Sequence, residues 1–112
     1  MSTTQYPVAC ICGSMRYYDR MLKVAVDLTR SGWIVLMPYD TSYQDGTASD
    51  EVKVMLDDMH LTKISMSERV YVVGSYIGDS TKAEIAYAKD HDIDVIQLYT
   101  SETASAPCGG GE

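Results

Sequence analysis

Val8-Ala9-Cys10-Ile11-Cys12-Gly13-Ser14-Met15-Arg16 is the stretch on which the fold turns. Its first five residues are continuously apolar rather than alternating. That pattern marks a strand buried on both faces, as in a parallel sheet covered by helices. Gly13 then lets the chain turn tightly and approach a ligand closely. The two-residue period of a strand puts the Cys10 and Cys12 side chains on one face.

Working outward, Met21, Leu22, Ala25, Val26, Leu28 and Thr29 recur at helical spacing, and Ser31-Gly32 closes that helix. Trp33 to Met37 reads as a second strand, stopped by Pro38. Residues 39–49 are polar and read as a surface loop. Val52, Met55, Leu56 and Met59 fall at i, i+3, i+4 and i+7. This predicts an amphipathic helix from Ser49 or Asp50 to Ser65 with that stripe facing the core. Val70 to Gly74 is a third strand and Ser75 to Ser80 a loop. Thr81 to Lys89 is a third helix and Asp94 to Tyr99 a fourth strand. The Ser-, Ala- and Gly-rich end is expected to be a flexible tail over 101–112, after one α/β domain over 1–100.

Strands separated by helices imply right-handed crossovers and a parallel sheet. The expected architecture is a four-stranded, three-layer α/β fold of the Rossmann or flavodoxin-like type. With strand order 2-1-3-4, ligands bind outside the carboxyl ends where the order reverses. The loops there are 13–18 and 74–80.

Composition narrows the partners. With 46% hydrophobic and 22% charged residues, the 112-residue chain has enough apolar material for one core. A formal net charge of -7 argues against nucleic acid or an anionic membrane surface. It leaves room for a small phosphorylated ligand, which needs only local donors. No apolar run approaches the roughly 20 residues that span a bilayer. Three cysteines and no leader segment point to a reducing cytoplasm. Cys10 and Cys12 read as buried free thiols, because Cys-x-Cys with only His60 and His91 elsewhere matches no familiar zinc spacing. A metal or redox pair is the less favoured reading of the two cysteines.

In the first loop, Gly13, Ser14 and Arg16 offer a close backbone approach, a hydroxyl and a cationic fork suited to phosphate or carboxylate. Met15 is placed to rest against an aromatic base. The competing reading is an ordinary strand–helix turn with a solvated arginine. In the second loop, Gly78, Asp79, Ser80 and Thr81 precede Glu84. Glu84 suits a nucleophile or base. Equally, Thr81-x-x-Glu84 has the spacing of a capping box, in which Glu84 only satisfies a backbone N–H. His60, Asp57 and Asp58 lie late in the second helix, and Glu68 just before the third strand. Each also reads as part of a solvated polar face or junction.

Together, Cys12-Gly13-Ser14-Met15-Arg16 after an apolar strand and Glu84-Ile85-Ala86-Tyr87-Ala88 on a later helix resemble the nucleoside 2-deoxyribosyltransferase superfamily. The nearest branch is the 2-deoxynucleoside 5-monophosphate N-glycosidases. The resemblance spans about Val8 to Leu98, and Glu68 falls at the family's spacing ahead of the catalytic glutamate. Lys82 and Gly78 depart from the residues usual at their positions, and His60 occupies the slot of a family aspartate, with Asp58 beside it. The resemblance implies cleavage or transfer at the N-glycosidic bond of a 2-deoxyribonucleoside or its 5-monophosphate, by chemistry with no metal or organic cofactor. Glu84 would be the nucleophile, with His60 or Asp58 as proton donor. Gly13, Ser14, Met15, Arg16, Glu68, Gly78, Asp79, Ser80 and Thr81 would bind substrate. The alternative is a non-catalytic nucleotide-binding or sensing module on the same fold. The apolar surplus of Met21, Leu22, Val26, Met55, Leu56, Met59 and Met66, with the family's habit of sharing sites between subunits, leads us to expect a homo-oligomer, a dimer or larger.

Overall fold

The apolar run around Ile11 forms strand β1, Val8–Gly13, and pairing on both of its edges makes it central. A computed structural model describes residues 6–39 and 50–98. Among these, β1 is followed by α1 (Tyr18–Arg30), β2 (Ile34–Leu36), α2 (Asp50–Ser65), β3 (Arg69–Val73), α3 (Asp79–Asp90) and β4 (Asp94–Leu98). The sheet has the order β2-β1-β3-β4, and every pair is parallel. In register, Ile11 lies beside Tyr71, and Tyr71 beside Ile96. This is the α/β architecture and strand order expected from the sequence.

Right-handed crossovers decide which helix covers which face. The step from β1 to β2 runs one way along the sheet, and the steps to β3 and β4 run the other. Therefore α1 covers one face, and α2 and α3 share the opposite one, where they touch each other. Strand alternation splits the core to match. Ile11 and Val73 pack with Met21 and Met37 on the α1 side. Cys10, Cys12, Val70 and Val72 pack with Ile64 and Ala88 on the α2/α3 side.

Several expected boundaries and faces are corrected. The pairing of β2 covers only Ile34–Leu36, because it is an edge strand with one partner. β3 runs one residue earlier than expected, from Arg69 to Val73, and Gly74 leaves it with φ +93°. Helix α2 does not turn its Val52, Met55 and Met59 stripe to the core; all three are exposed. His60 and Ile64 are buried instead, with Leu61 partly buried against the core. A polar residue thus holds a central core position of α2, so apolar periodicity pointed to the wrong face. Of the surplus apolar side chains, Met21 is fully buried, whereas Leu22, Val26, Met55, Met59 and Met66 are exposed. The expected tail over 101–112 and nearly all of the 39–49 loop lie outside the described residues. No helix among the described residues is long and apolar enough to cross a membrane.

Candidate functional site at the carboxyl ends of the strands

The chain leaves β1 and β3 through two glycines that no other residue replaces easily. Gly13 has φ +149°, and a Cβ there would stand 2.8 Å from the Val73 carbonyl oxygen. At Gly74, also left-handed, a Cβ would run into the Tyr17 ring. Tyr17 therefore lies flat across the start of the second loop. Its hydroxyl accepts a hydrogen bond from the Tyr76 N–H at 2.9 Å. That bond is the main reason its phenol is held below the ordinary tyrosine range. The Arg16 guanidinium stacks 3.8 Å above the Tyr76 ring. Ser14 caps the single 3-10 turn Met15–Tyr17, its hydroxyl accepting from the Arg16 N–H. The two loops at the switch point are thus tied together before any ligand arrives.

Below them opens a cavity of about 620 Å³, within the usual size of a small-molecule site. One wall is Gly13, Ser14 and Met15, and another is Gly78, Asp79, Ser80, Thr81 and Glu84. Helix α2 supplies Lys53, Leu56, Asp57, Met59, His60 and Lys63. Pro38, Tyr39 and Tyr76 complete the lining. Lys63 is anchored by donating to the Met37 carbonyl at 2.9 Å.

The capping-box reading of Glu84 does not hold. Helix α3 begins at Asp79 with Gly78 as its N-cap, so Thr81 sits inside the first turn and is itself buried. Released from that role, the Glu84 carboxylate lies 3.8 Å from His60 Nε2, with both side chains largely buried. This is ion-pair range but beyond a hydrogen bond. The same Nε2 lies 3.3 Å from Cys12 Sγ and 3.8 Å from Cys10 Sγ. His60 Nδ1 is buried and has no hydrogen-bond partner. The two thiols are fully buried behind His60, between it and the sheet.

The electrostatics follow from this packing. Burial raises Glu84 above the usual carboxylate range, against the partial relief given by His60 and the Cys12 thiol. Burial opposes charge on His60, yet the Cys10 hydrogen bond and the charges of Cys10 and Glu84 outweigh it and raise the imidazole. The hydrogen bond from Cys12 leads the effects that bring Cys10 down to about 6, while Cys12 is pushed up. A polar cluster of this kind in a cleft is a functional-site signature.

The structure therefore brings Gly13, Ser14, Met15, Gly78, Asp79, Ser80, Thr81, His60 and Glu84 to one cavity. Three expected site residues fall elsewhere. Asp58 is exposed and off the cavity; Asp57, its neighbour on α2, lines it instead. Glu68 precedes β3 at the amino end of the sheet, where its N–H donates to the Val8 carbonyl, opposite the cavity. Arg16 stacks on the lining residue Tyr76 without itself lining the cavity. Sequence reasoning missed Tyr17, Tyr76, Lys53 and Lys63. For Tyr17 and Tyr76 the signal was their place in the two switch-point loops. The chain matches no protein-family profile and no curated protein sequence.

Proposed function

We propose that the protein cleaves or transfers at the N-glycosidic bond of a 2-deoxyribonucleoside or its 5-monophosphate, with Glu84 as nucleophile. The observation that carries this reading is the Glu84 carboxylate facing a cavity at the switch point, 3.8 Å from His60. Ionised Glu84 attacks the anomeric carbon as the bond to the base breaks through an oxocarbenium-like state. The departing base takes its electron pair and a proton from His60. The product is a glycosyl ester on Glu84. Water, or a second base, then attacks the same carbon; its proton passes to His60 and the carboxylate is freed. Asp79, Ser80 and Thr81 hold the sugar, Met15 and Tyr76 flank the base, and Arg16 and Lys53 favour an anionic substituent near the rim. No metal or organic cofactor enters this chemistry. The protein works in the cytoplasm as a homo-oligomer, the exposed Leu22, Val26, Met55 and Met59 supporting subunit contact.

A nucleoside and nucleotide panel with product analysis tests the activity. Release of free base that is lost in Glu84→Gln is the expected result. Saturable nucleotide binding with no turnover in the wild type would favour the non-catalytic module. Sedimentation equilibrium tests the assembly: a mass that stays near the 12.4 kDa of one chain on dilution and on ligand addition would remove it.

A further inference from the structure

A histidine kept in a core for structure alone normally has its ring nitrogens paired. His60 does not fit that description. Its Nε2 faces two thiols and a carboxylate at once, and this convergence of donor atoms points to a shared ligand; the unpartnered Nδ1 is left as it is by an ion on Nε2. The donor atoms of Cys10, Cys12 and His60 all lie within 4.8 Å of one another. We propose that Cys10, Cys12 and His60 form a binding site for one thiophilic divalent cation of the zinc type, with the Glu84 carboxylate placed to supply a fourth donor.

Donor chemistry and spacing both support this. Zinc bonds of about 2.3 Å to sulfur and about 2.0 Å to nitrogen or oxygen, at tetrahedral angles, set the edges between donors. Those edges are about 3.6 Å from nitrogen to sulfur and about 3.3 Å from nitrogen to oxygen. The distances from His60 Nε2 are 3.3 Å to Cys12, 3.8 Å to Cys10 and 3.8 Å to Glu84. Each is within about 0.5 Å of its ideal, and the Cys10, Cys12 and His60 donor atoms lie within 4.8 Å of one another, so the three converge closely enough for side-chain adjustment to draw them onto one ion. The support is rigid: both cysteines are on the central strand, two residues apart on one face, and His60 lies on the helix packed over it. Charge also balances. On binding, each thiol S–H gives its proton to solvent, and two thiolates neutralise a divalent ion, so the buried group carries no net charge before Glu84 is counted. The ion would approach through the cavity, which His60 separates from the thiols.

The site shares His60 and Glu84 with the proposed activity, so a bound ion would block that chemistry rather than serve it; its test needs no turnover. Cobalt is added to the reduced full-length chain, with Cys108→Ser as a parallel sample to exclude the third cysteine. The expected result is one cobalt per chain, with thiolate-to-cobalt charge transfer, the strong visible bands of a tetrahedral ion, and displacement of both by zinc. Cys12→Ser or His60→Ala should weaken binding on the order of 100-fold or more. His91→Ala, outside the cluster, should not change it. Should either cluster variant fail to fold, X-ray absorption on zinc-loaded Cys108→Ser protein replaces it, with two sulfurs and at least one nitrogen expected around the metal. Absence of thiolate charge transfer in folded wild type, unchanged bands in Cys12→Ser, or a zinc shell of nitrogen and oxygen only would each overturn the site.

Discussion

The two faces of the sheet are built from alternate residues of the same strands, yet they differ in kind. Beneath α1, Ile11, Val73, Met21 and Met37 make a wholly apolar core. Beneath α2 and α3, residues one step along the same strands surround His60, Glu84, Thr81 and two thiols. Both faces supply stability, and the α2/α3 face holds the larger apolar cluster. That face also gives up part of its apolar packing to hold polar groups with shifted protonation at the edge of a cavity.

The sharpest way to break that comparison is Glu84→Gln. If the α2/α3 face is the working one, turnover should fall at least about 1000-fold. Steady-state kinetics on the best substrate of the panel measure it, and wild-type turnover in the variant would rule out the nucleophile. The next effect belongs to the opposite face. Met21→Ala should cost about 2–5 kcal/mol by urea denaturation, and Cys12→Ala only about 1–2 kcal/mol. The difference follows from size, three buried heavy atoms deleted against one; an equal cost for Cys12→Ala would mean that its thiol does more than fill space.

Gly74→Ala tests whether the loops are preset. The left-handed backbone and the Tyr17 ring against it predict a loss of about 1–3 kcal/mol. Ligand affinity should fall further than that loss alone explains, because Tyr17 and Tyr76 shift together; calorimetric titration of the folded variant reads it.

The smallest effect is one of sign. Burial raises Glu84 above its reference value of 4.5, so the folded state holds this proton more tightly than the unfolded chain. Its contribution to stability is full below 4.5 and declines as pH rises through the folded value. Glu84→Gln has no such loss, so its Tm relative to wild type should climb between about pH 4 and neutrality. A difference that is flat or falls with pH would show that the carboxylate is better solvated or better paired than its surroundings indicate.

Most of the architecture was legible because it rests on local patterns. Continuous apolar runs, helical spacing and Gly punctuation located every described strand and α-helix to within a few residues, while the 3-10 turn Met15–Tyr17 fell in a stretch read as a loop. The site was legible in part. Gly13 and the 78–84 segment were found because they flank strand ends, which topology alone puts at the switch point. Asp58 and Glu68 were misplaced for a physical reason. Both aspartates are exposed, and helix rotation decides which of the two reaches the cavity rim, while Glu68 lies at the amino end of its strand. The Val52, Met55 and Met59 stripe misled in the same way, because a helix buries whichever face meets the sheet, not always its most apolar one.

The sequence by itself determined an α/β architecture with a parallel sheet, because residue periodicity and the handedness of crossovers leave few other arrangements. It also determined that Cys10 and Cys12 share a face, since that follows from the two-residue period of any strand. Only the tertiary structure decided that His60 lies over those thiols and that Glu84 reaches His60. These residues are 48, 50 and 24 positions apart along the chain. Their meeting depends on how far α2 and α3 are rotated against the sheet. That rotation is settled by the sum of many side-chain contacts across the core, and no spacing along the chain encodes such a sum.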